Sequence, residues 1–264
     1  MPAASAGAPG PWKTITLEKH HGPLAAVLTV QRRKTRYGAF EFRGMKLVVR
    51  NGSHTVFDRL LCSEDRCSIA SQHWVDLKNV WGDAAPEVIL DSYTGGAHCC
   101  FESLIVLTGG GHAGHAISHF WGDPGYSVKT LGGAPVFVTA DDRFAYAFTA
   151  FAASGLPVEV FAIGAHGVMN DVTQSQLTLV KKDAAQWWHA YTSLRGKSAE
   201  DDIRGVLGAW CADEYRLGDK AACDAELASA LKKGYLKGPE IWPQNAKYIA
   251  FLHRELSKWG YRSP

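Results

Sequence analysis

The sequence predicts an α+β fold: an antiparallel β body, arranged as a sandwich, a barrel or a partial β-propeller, followed by a helical C-terminal layer. Three observations carry this expectation. Up to about residue 180 the chain is a succession of short runs rich in Val, Ile, Thr and aromatic residues, broken by glycine-containing turns. Beyond Lys181 the apolar spacing changes to that of helices. Hydrophobic residues make up 46% of the 264 residues and charged residues 20%, enough to build a packed core.

The β runs follow in order. Thr14–Leu17 is short and alternating, and Leu24–Arg32 is longer, with Val27, Leu28, Thr29 and Val30. Phe40–Phe42 and Met45–Arg50 lead into Asn51-Gly52, a two-residue hairpin signal because both central positions of that turn need positive φ. Thr55–Leu61 is the return strand, and Ser68–Asp76 resumes the pattern. Glu87–Thr94 and Cys100–Thr108 flank Gly95-Gly96, a hairpin or a tight strand-to-strand corner. Ala116–Trp121, Pro135–Thr139, Phe144–Phe151 and Val158–Ile163 complete the strands, with glycine clusters between several of them.

A short helix is expected over Asp183–Tyr191. A second starts from Ser198 as N-cap, with Asp201 three residues on, and places Ile203, Val206, Leu207, Trp210 and Leu217 on one face. Gly218 stops it, Asp219 caps a third helix carrying Cys223, Leu227 and Leu231, and Gly234 ends that one. A fourth runs over Asn245–Trp259 with Ile249, Leu252, Leu256 and Trp259 inward. The expected domains are a disordered linker over residues 1–11, a β-rich domain over 12–180 and a helical region over 181–264.

Net charge is +2, which does not point to a nucleic-acid or membrane-surface protein. No apolar run reaches the roughly 20 residues that span a bilayer. Residues 1–11 lack the charged and apolar regions of a signal peptide and read as the small-residue linker that follows a cleavage site. Six cysteines, with Cys62 close to Cys67 and Cys211 close to Cys223, favour disulfides and an extracytoplasmic protein. In the helical hairpin, a Cys211–Cys223 bond would tie two short antiparallel helices.

The chemically distinctive stretch is Asp91 to Cys100. Its turn puts Tyr93, Thr94, Gly95, Gly96, His98, Cys99 and Cys100 at one sheet edge, a candidate ligand-binding surface. Cys99 and Cys100 admit four states: a strained vicinal disulfide, since their Cα atoms are about 3.8 Å apart; pairing elsewhere, although the other four cysteines have close partners; ligation of zinc or copper together with His98; or buried thiols. His115 and His119, four residues apart in a region that also holds His112, are candidates to join His98 in a transition-metal site. No fixed-spacing metal signature, nucleophile elbow, phosphate loop or dinucleotide fingerprint accompanies them.

The segment Asp76-Leu-Lys-Asn-Val-Trp-Gly-Asp83-Ala-Ala-Pro-Glu87-Val-Ile-Leu-Asp91 resembles one repeat of the FG-GAP or VCBS type. The Tyr-Thr-Gly-Gly-Ala-His-Cys-Cys that follows is similar to a segment of exported bacterial proteins. The resemblance implies propeller-like blades used in adhesion and ligand binding, with a structural calcium turn. Here Asp76, Asn79 and Asp83 are the candidate calcium ligands, while Lys78 replaces an acidic one.

Asp141-Asp142-Arg143 reads as a solvated hairpin turn rather than a catalytic carboxylate pair. Trp81, Trp187 and Trp188 read as packing residues before sugar platforms. Functionally the sequence favours an extracytoplasmic binding module with no resident cofactor, for a carbohydrate or protein ligand. The alternatives are a metal-dependent hydrolase using His98 with His115 or His119, and a structural envelope protein.

Overall fold

The computed structural model describes residues 8–37, 40–62, 74–82, 85–93, 100–197 and 202–261. The chain divides into two compact units: Met1–Val136 with Ala162–Asn170, and Phe137–Phe161 with Asp171–Pro264. The fold is α+β, with antiparallel four-stranded sheets followed by C-terminal helices, and no barrel closes among the described residues.

The first sheet is a meander of β1 (Lys13–His21), β2 (Leu24–Lys34), β3 (Phe40–Asn51) and β4 (His54–Cys62). The runs at Phe40 and Met45 join into one strand, whose register against β2 shifts between Thr29 and Gln31. The second sheet is another meander: β5 (Val75–Lys78), β6 (Glu87–Tyr93), β7 (Phe101–Val106) and β8 (Ala116–Gly122). Alternation decides how they meet. Leu24, Ala26, Leu28 and Val30 of β2, with Met45, Leu47 and Val49 of β3, share one buried cluster with Val75, Val88, Leu90 and Val106 of the second sheet. These two sheets therefore form a sandwich, one of the expected β arrangements.

The third sheet has the strand order β12 (Met169–Asp171), β11 (Val158–Ile163), β10 (Ala134–Ala140) and β9 (Ser127–Leu131). Strands β9 and β12 were not expected from the sequence. SVKTL is largely polar, and Met169–Asp171 is only 3 residues long, so neither carries an apolar alternation.

The run Phe144–Phe151 is not a strand, contrary to expectation. Short 3-10 turns occupy Asp142–Phe144 and Phe151–Ala153, and Tyr146 between them has φ of 60°. Phe144 and Phe148 stand four residues apart and both enter the helical core. Their rings meet at 5.6 Å, so the aromatic spacing serves a cluster rather than a pleat.

Helix α1 spans Leu177–Leu194, twice the length read from sequence. Val180, Ala184, Trp187 and Tyr191 make a continuous inward stripe that begins well before Asp183. Helix α2 spans Arg204–Leu217, and the expected cap at Ser198 with Asp201 lies outside the described residues. Nearly every residue of α2 is buried, which marks it as the central helix of its unit. Gly205 explains how close it packs: a Cβ there would lie 2.1 Å from the Ala153 carbonyl oxygen. Gly218 ends α2 in the left-handed region, and the Asp219 side chain caps α3 (Lys220–Lys232) by accepting from the Ala222 N–H, both as expected. Helix α4 spans Asn245–Lys258.

The buried charges of α2 are held within the unit. Arg204 donates to both oxygens of Asp202 and to the Pro243 carbonyl. Thr149 donates to Asp202 at 2.6 Å. A lone buried guanidinium would be costly; this one has its fork filled.

Cys211 and Cys223 form the expected disulfide, with Cα atoms 5.0 Å apart, across the turn that joins α2 to α3. Cys62 and Cys100 are also disulfide-bonded. Cys67, the expected partner of Cys62, and Cys99, one of the partners considered for Cys100, lie outside the described residues.

Two consequences can be measured. Thiol labelling of the denatured, unreduced protein should leave Cys211 and Cys223 unlabelled. Replacing both with Ser should lower the unfolding free energy by about 3 kcal/mol, read from the denaturant midpoint, because the bond closes a loop in the unfolded chain across a sequence separation of 12.

Candidate binding site

The second sheet sets Asp91, Ser103 and His119 side by side across three strands, for Asp91 pairs with Ser103 and Ser103 with His119. All three alternate with Leu90 and Leu104, which face the sandwich core, so the polar row occupies the opposite face. The Asp91 carboxyl accepts the Ser103 hydroxyl. It also accepts the Tyr126 hydroxyl, at 3.0 and 3.1 Å to its two oxygens. Ser103 Oγ accepts the Trp121 indole N–H at 2.8 Å, so a buried hydroxyl both donates and accepts. The Trp121 ring lies 4.0 Å from that of His119 and 4.6 Å from that of Tyr126.

Tyr126 reaches this row from the Asp123-Pro124-Gly125 turn after β8. Gly125 has φ of 59°, and a Cβ there would already be in contact with the Phe101 ring at 3.7 Å. Lys78, Asp91, Phe101, Pro124, Tyr126 and Val128 line a cleft of about 510 Å³. Burial raises the Asp91 carboxyl above its ordinary range, while the Ser103 and Tyr126 hydroxyls and the Lys78 charge pull it back. Burial and the Asp91 charge push the Tyr126 phenol up, so it stays a proton donor. Burial lowers His119, which favours its neutral form.

Of the residues singled out in the sequence, Tyr93 ends β6 with its ring 5.3 Å from Phe101, beside the cleft. Thr94, Gly95, Gly96, His98, Cys99 and Asp83 lie outside the described residues. Cys100 is buried and disulfide-bonded, which removes its thiolate as a ligand. His119 belongs to the polar row, whereas His115 is an exposed residue near His112, the two rings 6.4 Å apart. Among the described residues, the group of three that comes within metal-binding reach is Cys223, Asp224 and His253, and Cys223 is spent in its disulfide.

In the calcium-candidate turn, Asp76 and Asn79 both have partners within the protein. Asp76 pairs with Lys78 at 3.0 Å. Asn79 Oδ1 accepts from the Gly82 N–H at 2.9 Å, three residues on. Glu87 accepts from the Val80 and Trp81 N–H groups. The Trp81 indole donates to the Gly164 carbonyl. Trp188 meets Trp210 in a tilted contact with ring centres 4.7 Å apart, and Trp187 donates to Asp183.

The helical unit holds a second set of buried acids. Asp141 is not a solvated turn residue: it is 1% exposed, is gripped by both ends of the Arg143 guanidinium and accepts the Tyr261 hydroxyl at 2.8 Å. Burial first, and then the Asp141 charge, push Glu159 up to about 7, against the pull of Arg216 and Arg143. Asp213, on α2, is wholly buried. Burial first, and then the charge of Asp183 on α1, push it up to about 10, so it is a neutral acid at neutral pH.

Asp91, Ser103 and Tyr126 were not singled out as site residues in the sequence, and Lys78 was noted only for replacing an acidic ligand. The signal for Ser103 and Lys78 is the strand alternation that puts each on the Asp91 face. Nothing comparable marks Tyr126, because its place depends on a turn.

Comparison with known proteins yields one distant likeness. A probable thylakoid lumen protein of Synechocystis sp. is 26% identical over 140 residues, 51% of this chain and 40% of the relative. The chain thus matches well under two thirds of that relative's length. No family model matches, so the FG-GAP and VCBS resemblance gains no support. No solved structure matches either.

Two measurements follow from the acids. Asp91 should titrate above the ordinary carboxylate range, visible as a pH-dependent change in tryptophan emission that Asp91→Asn abolishes. For Asp213 the folded state holds a proton that the unfolded chain has released, so stability should fall as pH rises from about 4 towards 10, by on the order of 1 kcal/mol per pH unit. Asp213→Asn should flatten that slope and raise the melting temperature more at pH 8 than at pH 5.

Proposed function

We propose that the chain is an extracytoplasmic, non-enzymatic binding protein that takes a small carbohydrate in the cleft at Asp91 and Tyr126. The observation that carries this reading is the cleft itself. It presents a carboxylate and a phenol that can bond sugar hydroxyls, the Lys78 ammonium at its edge, and the Phe101 ring as a face for the C–H side of a pyranose. Its volume of about 510 Å³ suits a mono- or disaccharide.

The compartment is supported by the Cys211–Cys223 disulfide and by the description of the distant relative as a probable lumen protein. Among the described residues no helix is long and apolar enough to cross a membrane.

The test is a calorimetric or NMR titration of the full chain against a panel of neutral and acidic sugars. Saturable binding of at least one sugar is expected, with Phe101→Ala and Lys78→Ala each weakening it about fivefold or more. The melting temperature should stay close to that of the parent. Absence of saturable binding, or binding indifferent to both substitutions, would overturn the reading.

A further inference from the structure

Whole-chain charge is only +2, but it is unevenly placed. The outer part of the β2–β3 hairpin carries Arg32, Arg33, Lys34, Arg36 and Arg43 against a single acid, Glu41, which pairs with Arg33 at 2.7 Å. This end projects beyond the sandwich. Strands β2 and β3 have 11 and 12 residues, whereas those of the facing sheet have 4 to 7. The fully buried residues of the shared core end at Val30 on β2 and resume at Met45 on β3, with Phe42 between them packed against that core's margin.

The projecting end has an ordered base and an apolar tip. Trp12 is held between the Arg33 and Arg43 guanidinium groups, 4.6 and 4.2 Å from its ring centre. Farther out, Tyr37 is 75% exposed and Phe40 53% exposed. Arg36 lies over the Tyr37 ring at 4.7 Å and Arg32 over the Phe40 ring at 4.4 Å.

We propose that this end of the β2–β3 hairpin docks the protein on an anionic lipid surface. Exposed aromatic rings flanked by arginines match the two layers of a bilayer interface: the rings enter the headgroup–acyl boundary and the guanidinium groups meet phosphates. A sulfated polysaccharide would engage the same cations but would gain little from Tyr37 and Phe40, so the aromatic pair decides between the two. The surface supplies both signals that stable but reversible membrane attachment requires, apolar insertion and basic charge. This inference stands apart from the cleft.

The experiment is sedimentation of the full chain with vesicles of phosphatidylglycerol and phosphatidylcholine in equal parts, beside vesicles of phosphatidylcholine alone. Binding is expected to the anionic vesicles and to weaken at least about tenfold as salt is raised to shorten the screening length severalfold. Arg32→Glu with Arg36→Glu should weaken it about tenfold or more, and Tyr37→Ala with Phe40→Ala severalfold. Lys129→Glu with Lys237→Glu, the same change of charge on other exposed lysines, should alter it by less than about twofold. The salt series on the unaltered chain stands even if a variant fails to fold, and melting curves identify such a variant. Three results overturn the proposal: no binding to anionic vesicles; vesicle binding indifferent to the aromatic pair while heparin is retained equally by all forms; or self-association that depends on Tyr37 and Phe40 without vesicle binding.

Discussion

The β unit depends on the pleat of its second sheet. Along β6 and β7, Val88, Leu90, Leu104 and Val106 point to the sandwich core, and Asp91 and Ser103 stand on the other side. A slip of one residue would drive the carboxyl and the hydroxyl into the apolar layer between the two sheets. The same constraint that builds the core thus fixes the polar row, and β8 extends it by placing His119 and Trp121 beside Ser103. Only Tyr126 comes from outside the ladder, delivered by a turn.

The helical unit works under a different constraint. Its central helix is buried almost all round, yet it carries Arg204, Asp213 and Arg216. Two of these are neutralised by neighbours: Asp202 fills the Arg204 fork, and Arg216 meets Glu159 and the face of Tyr261. Asp213 has the Asp183 charge as its main electrostatic neighbour, and burial together with like charge makes it keep its proton.

Much of this architecture is written in the sequence, and the gaps have physical causes. Asn51-Gly52, the Gly218 stop, the Asp219 cap and the Cys211–Cys223 staple rest on local chemistry and are legible one residue at a time. Strand β9 was missed because its side chains are mostly polar. Phe144–Phe151 was misread because alternating aromatic and small residues imitate a pleat, while its packing partners are helices far along the chain. At the site, His119 was legible as a candidate residue, but its place beside Asp91 through Ser103 required the strand register. The charge of the β2–β3 hairpin was present in the sequence as an Arg- and Lys-rich run, and a whole-chain sum hid it.

The buried acid on α2 also has a calorimetric meaning. At neutral pH the folded unit holds a hydrogen ion at Asp213 that the opened chain cannot keep, so each unfolding event hands that ion to the buffer. The heat absorbed on melting therefore contains the buffer's own heat of protonation. A phosphate solution and a Tris solution at the same pH will report different apparent enthalpies for the same structural change, and their difference, divided by the difference in protonation heats, counts the hydrogen ions that the fold had stored.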